Sequence, residues 1–173
     1  GDTVEAAFRS DGCGLRAILG FVATVVGGLF FEDLELGTRW NSAGRTVFES
    51  DLAGYVNLTW FTEELFTNVH DRSGFAIQGR PVPAIMVMAF AEGLVLSSMD
   101  RTGLAFLHVE MDVKGPTQVG DTLYVQCEVI EAKRTSAGDR GLVRTRNAVT
   151  NQAGQTVLVY QPLRLVKCRA APA

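Results

Sequence analysis

The sequence predicts an α+β fold in which an antiparallel sheet wraps around a long buried central helix. Three observations predict it. Positions 85–96 are apolar almost throughout, Glu92 excepted, and a helix that is apolar on every side belongs in a core. Four later segments of strand length, 105–113, 123–129, 142–150 and 156–167, are rich in alternating or continuous apolar residues. Short, turn-rich joints between the last three favour antiparallel neighbours.

The elements follow in order. The domain opens at Leu29-Phe30-Phe31-Glu32-Asp33-Leu34-Glu35-Leu36-Gly37, where Gly37 ends the first element. Residues 40–47 read as a strand. Thr46 and Glu49 have the spacing of a capping box. After them Leu52, Tyr55, Val56 and Thr59 share one face of a short helix. Leu65, Phe66 and Val69 make a second short apolar face, and 71–74 is a turn. Pro81 and Pro83 impose an extended entry, because proline biases its predecessor away from helix. The central helix therefore starts at Pro83 or Ala84 and runs to about Met99. Ala89, Ala91 and Gly93 let sheet backbone approach it closely. In the next strand Ala105, Leu107, Val109, Met111 and Val113 alternate with polar residues and Phe106, as on a half-buried strand. Leu123, Val125, Cys127 and Val129 repeat the pattern.

The bulk numbers bound the function. The chain has 173 residues, 47% hydrophobic and 20% charged, with net charge −3. It is long enough for one domain with a real core. No basic stripe marks a nucleic-acid surface. Cys13, Cys127 and Cys168 form neither a metal spacing nor an even disulfide framework, which favours a reducing, cytoplasmic setting. Two histidines without helical spacing give no metal motif. Residues 17–31 are apolar but shorter than the roughly 20 needed to span a bilayer. A packed helix, an upstream extension, a signal-peptide core and a membrane contact all stay open for this segment. No membrane association is expected of the domain itself. Residues 1–28 are read as an N-terminal extension and 29–173 as one domain.

Three stretches carry a family resemblance: Phe31-Glu32-Asp33-Leu34-Glu35-Leu36-Gly37, Gly44-Arg45-Thr46-Val47-Phe48-Glu49-Ser50-Asp51 and Gly115-Pro116-Thr117-Gln118-Val119-Gly120-Asp121-Thr122-Leu123. With them the chain resembles the MaoC-like hydratase/dehydratase family, whose fold is the hot dog. The resemblance runs from about Phe31 to Val166. It implies hydration of an enoyl-CoA to a 3-hydroxyacyl-CoA or the reverse, with the CoA thioester as substrate and no separate cofactor. It also implies a homodimer or a pairing with a second hot-dog unit. In the family an Asp and a His move the protons, within a stretch reading Thr-Gly-Asp-x-Asn-Pro-x-His. Here the matching stretch is Thr59-Trp60-Phe61-Thr62-Glu63-Glu64-Leu65-Phe66. Phe61 stands for the Asp and Phe66 for the His, so this member diverges: neither residue transfers a proton.

The chemistry still needs a proton carrier and a stabilised thioester oxygen. Glu63 and Glu64 are the candidate carriers, with His70 as helper. A carboxylate beside an apolar wall of Trp60, Phe61 and Phe66 gains acid/base character. Ala84, with Ile85, matches the position from which the family offers a backbone N–H to the thioester oxygen. Asn57 is a candidate to orient water or a carbonyl. Glu92 needs a partner inside an apolar helix. Three functions stand: a MaoC-like lyase with an altered acid/base set, a non-catalytic hot-dog partner subunit, and an acyl-CoA thioesterase.

Overall fold

The computed structural model describes residues 27–169. The expectations for the N-terminal apolar segment up to residue 26, and Cys13, lie outside the described residues. No helix among the described residues is long and apolar enough to cross a membrane.

Among the described residues, six strands and three α-helices make the fold. They are β1 (Arg39–Asn41), β2 (Arg45–Thr46), α1 (Glu49–Thr59), α2 (Glu64–Thr67), α3 (Ala84–Val95), β3 (Gly103–Val113), β4 (Thr122–Arg134), β5 (Arg140–Thr150) and β6 (Thr156–Lys167). The sheet order is β1-β4-β5-β6-β3, with β2 also on β4. Every pairing is antiparallel. The tight joints near Gly138 and Gly154 explain the β4–β5 and β5–β6 hairpins. α3 packs on the sheet over β4 and β6. Beneath it one transverse row, Trp40–Cys127–Asn147–Tyr160, is buried across four strands. The α+β class with a helix on an antiparallel sheet is as expected.

Four details differ from expectation. The strand foreseen at 40–47 is split into β1 and β2. Between them Gly44 lies under the ring of Tyr124, where a Cβ would stand only 2.4 Å from a ring carbon. The expected capping box is displaced: Thr46 sits on β2 and bonds Thr122 Oγ1 at 2.7 Å. Phe48 is the residue before α1, and its N–H donates to the Asp51 carboxylate at 2.9 Å. The central helix is shorter and less enclosed than its composition suggests. It is α-helical only to Val95, and a 3-10 turn, Leu96–Met99, completes it. Met86, Val87, Ala91 and Val95 are buried, whereas Ile85, Ala89, Gly93 and Leu96 form an exposed stripe. Finally, β3 is an edge strand. Only Val109 and Met111 are half-buried, and Leu104, Phe106, Leu107 and Val113 are exposed. Alternation predicts which residues share a face, not whether that face is covered.

Glu92, the one charged residue of α3, meets Arg164 of β6: Nη2 donates to Oε1 at 2.5 Å. Arg164 is buried and also donates to Thr145 Oγ1 at 3.3 Å. Another polar clamp ties the segment before β1 to the segment after β6. Arg134 Nη2 and the Arg169 backbone N–H both donate to the Glu32 carboxylate, at 2.6 and 3.0 Å. Partial burial pushes the Glu32 carboxyl up. The Arg169 and Glu32 backbone N–H groups and the Arg134 guanidinium outweigh it and hold the pKa at about 2, against an ordinary 4.5.

Two outcomes follow for stability. Glu92→Leu leaves Arg164 buried without its carboxylate and should cost about 2 kcal/mol in urea unfolding. That is below the roughly 3–5 kcal/mol for a fully buried pair, because Glu92 keeps some exposure. Glu92→Leu with Arg164→Leu should recover most of the loss. For Glu32 the folded pKa lies below the unfolded one, so its contribution is present above about pH 4.5 and lost as pH falls toward 2. Glu32→Gln should therefore lower the Tm at pH 7, and the gap to the parent should close as pH approaches 2.

Candidate functional site

The site is built where α3 begins. Pro81 and Pro83 keep the approach extended, and that approach pairs with the 115–123 loop. The Val82 N–H donates to the Thr117 carbonyl at 2.8 Å, the Val119 N–H to the Arg80 carbonyl at 2.9 Å, and Pro81 bridges Gln118. The same loop is anchored to the chain ahead of α1. Gly120 N–H donates to the Val47 carbonyl at 2.8 Å, and Val47 N–H donates to the Asp121 carbonyl at 2.9 Å. Gly120 has φ +95°, a left-handed conformation that glycine adopts without penalty. The Asp121 carboxylate closes the turn by accepting the Gln118 N–H at 2.8 Å.

The first α-helical bond of α3 runs from the Val87 N–H to the Pro83 carbonyl, 3.1 Å. The N–H groups of Ala84, Ile85 and Met86 therefore have no partner within the helix. They carry the positive end of the helix dipole. Ala84 lines a pocket of about 160 Å³, walled by Phe66, Ile77, Val87, Val113 and Leu158. No lining residue is charged, and Thr117, which is buried, has the one polar side chain. A free N–H edge beside an apolar hollow can hold a carbonyl oxygen while an apolar group fills the hollow.

The structure brings together part of the expected set. Phe66 is buried in the pocket wall, and Phe61 packs on it with ring centroids 5.4 Å apart. Tyr55 of α1 completes the aromatic line, 6.2 Å from Phe61. Ala84 lines the pocket. Ile85 is about half exposed on α3 and does not line it. Trp60 ends α1 with φ 59° and is 85% exposed, so it is not a pocket wall. Asn57 is exposed on α1.

Glu63 and Glu64 are exposed at the start of α2, and neither lines the pocket. The Glu63 backbone carbonyl accepts the Phe66 and Thr67 N–H groups. His70 is exposed, with its N–H donated to Asn68 Oδ1 at 3.0 Å. Ile77, Val113 and Leu158 were not foreseen. Val113 and Leu158 are partners across β3 and β6, a proximity that no sequence spacing announces.

Deep in the core, burial pushes the Cys127 thiol up to about 12. Burial, reinforced by the negative charge of Glu92, raises the Tyr160 hydroxyl well above an ordinary phenol. Both groups stay protonated and serve packing. At the far end of α3 a wider hollow of about 280 Å³ lies over the Glu92–Arg164 pair, beside Leu104 and Phe106.

Comparison with known proteins bears on the fold. No family model matches the chain. A curated mesaconyl-CoA hydratase of Cereibacter sphaeroides is 31% identical over 150 residues, covering 84% of this chain and 44% of that protein. The chain thus spans less than half the length of this relative. A MaoC-domain protein from Chloroflexus aurantiacus superposes with TM-score 0.79 at 26% identity, covering 87% of this chain and 44% of that one. A protein described as a monoamine oxidase regulatory protein, from Archaeoglobus fulgius, gives TM-score 0.75 at 24% identity over 85% of this chain and 99% of its own.

Arg80 holds Phe66 in the wall. Its Nη1 donates to the Phe66 carbonyl. Its Nε and Nη2 grip the Glu49 carboxylate at 3.0 and 2.6 Å, so one side chain joins α1 to α2. Arg80→Met should speed amide hydrogen exchange in residues 64–68 by about tenfold or more, the equivalent of one lost charge-assisted bond. Exchange in the β4–β5 hairpin should stay unchanged. Peptide-resolved exchange mass spectrometry reads both.

Proposed function

Because the chain belongs to the MaoC-like hydratase/dehydratase family of hot-dog proteins, we propose that it is a lyase unit that adds or removes water on an acyl thioester. An enoyl-CoA and 3-hydroxyacyl-CoA pair is the model substrate. The observation that carries this reading is the uncharged pocket at the open first turn of α3. The thioester oxygen is received by the N–H groups of Ala84 and Ile85, which match the charge that develops there during α-proton transfer. The acyl chain enters the apolar hollow. Glu63 or Glu64, assisted by His70, moves the protons. These carboxylates stand three and two residues before Phe66, on the segment that supplies the pocket wall. The substrate itself is the CoA thioester, and no further cofactor is required.

The unit works with a second one. Among the described residues, β3 ends the sheet with an unpaired edge and exposed Leu104, Phe106 and Leu107. Such an edge is a template for another strand. A second copy, or a second hot-dog unit as the greater length of two matched proteins suggests, covers it. The unpaired Cys127 and Cys168 suit a reducing, cytoplasmic setting.

One observation favours a second reading, a non-catalytic partner subunit. No pocket-lining side chain ionises, and both glutamates are exposed. The two readings separate by mass spectrometry of enoyl-, 3-hydroxyacyl- and saturated acyl-CoAs incubated with the full chain. Hydration shows as a gain or loss of water on the intact thioester, and Glu63→Gln or Glu64→Gln should then lower the rate about a hundredfold or more. Both variants at parental rate would remove the glutamates from the mechanism. Free CoA would make the protein a thioesterase. Binding without turnover would make it the partner subunit.

A further inference from the structure

We propose that the pocket selects short acyl groups with an uncharged end, of about six carbon atoms, and rejects acyl groups that end in a carboxylate. This inference rests on the acyl-thioester reading above and narrows its substrate class. Size carries the first half. The hollow measures about 160 Å³; it opens beside Val113, which is exposed, and its apolar volume matches a benzene-sized group. Its depth is set by Phe66 and Ile77 on one side and by Val113 and Leu158 on the other. Phe66 is the sharper limit, since it is buried, braced by Phe61 and held through its backbone by Arg80.

Charge carries the second half. A carboxylate taken into an apolar hollow needs a cation or several donors. None of the lining residues is charged. The cations around the wall are engaged except for one buried donor, Arg72 Nε, fewer than the several donors a carboxylate needs. Arg80 holds Glu49 and the Phe66 carbonyl. Arg72 donates to the carbonyls of Leu65, Asn68 and Ile77 and lies over the Phe75 ring. Lys114, next to Val113, pairs with Asp112 at 3.2 Å. Turning either arginine toward a ligand would break the bonds that hold the wall.

Binding of non-reacting saturated thioesters tests this without requiring turnover. Calorimetry with the full chain would use CoA, butyryl-, hexanoyl-, decanoyl- and succinyl-CoA. Affinity should rise about fourfold per methylene from butyryl to hexanoyl, the worth of one buried methylene. It should fall again for decanoyl. Succinyl-CoA should bind about a hundredfold more weakly than butyryl-CoA, or no better than CoA itself. Phe66→Ala should move the optimum to decanoyl. Ile77→Ala, outside the main core, should move it the same way if the Phe66 variant fails to fold. Equal affinity for hexanoyl and decanoyl, or succinyl bound as tightly as butyryl, would overturn the inference and leave the acyl-thioester reading standing. No acyl-CoA binding tighter than CoA would sink both. The expected selectivity without turnover in the mass assay would keep the pocket and favour the partner-subunit reading.

Discussion

α3 has one charged residue in twelve, Glu92, and this composition constrains the rest of the molecule. Burying its Met86–Val87–Ala91–Val95 face is the main reward for closing the sheet beneath it. The β4 and β5 faces answer with Leu123, Val125, Cys127, Val129, Val143 and Val149, all nearly inaccessible. Glu92 is the cost of that arrangement. A carboxylate at the helix–sheet boundary is tolerated because Arg164 crosses from β6 to meet it, so one ion pair fixes the position of α3 along the sheet. Removing one member exposes the other to an apolar environment, which is why buried pairs constrain geometry more reliably than they add stability.

Holding α3 in place also creates the site. The helix start is tied to the 115–123 loop by two backbone bonds, and that loop is tied in turn to Val47. The pocket is the space left between this fixed helix end, the β3–β6 strand ends and the segment carrying Phe66. Where the family resemblance would place an Asp and a His, this chain has Phe61 and Phe66 in contact. Phe66 walls the hollow and Phe61 packs behind it, so neither position brings a titrating group to the pocket.

Several elements were legible in advance. β6 was read at its observed bounds, and the inward set Leu123, Val125, Cys127 and Val129 of β4 is buried as its alternation required. The start of α3 at Ala84 followed from two prolines. Those features are local, governed by backbone restriction and side-chain period. The burial of β3 was misread because Ala105, Leu107 and Val113 alternate as a covered face would, yet stand exposed on a strand at the edge. Such a pattern records what a face is suited to meet, including a surface outside the chain. Trp60 was read as a pocket wall from its neighbours in sequence. The left-handed turn at Trp60 carries its side chain outward.

The sequence by itself determined the element order, the α+β class, the apolar character of α3 and the absence of an Asp/His pair at the expected positions. It did so because each is a property of residue type and short-range spacing. Only the tertiary structure decided that Val113 and Leu158 face Phe66 across one hollow, that Glu92 meets Arg164, and that Glu63 and Glu64 stand outside the pocket wall. Those outcomes depend on strand register and on which sheet edge is left open. Both are settled by contacts between residues far apart in the chain, which no local pattern encodes.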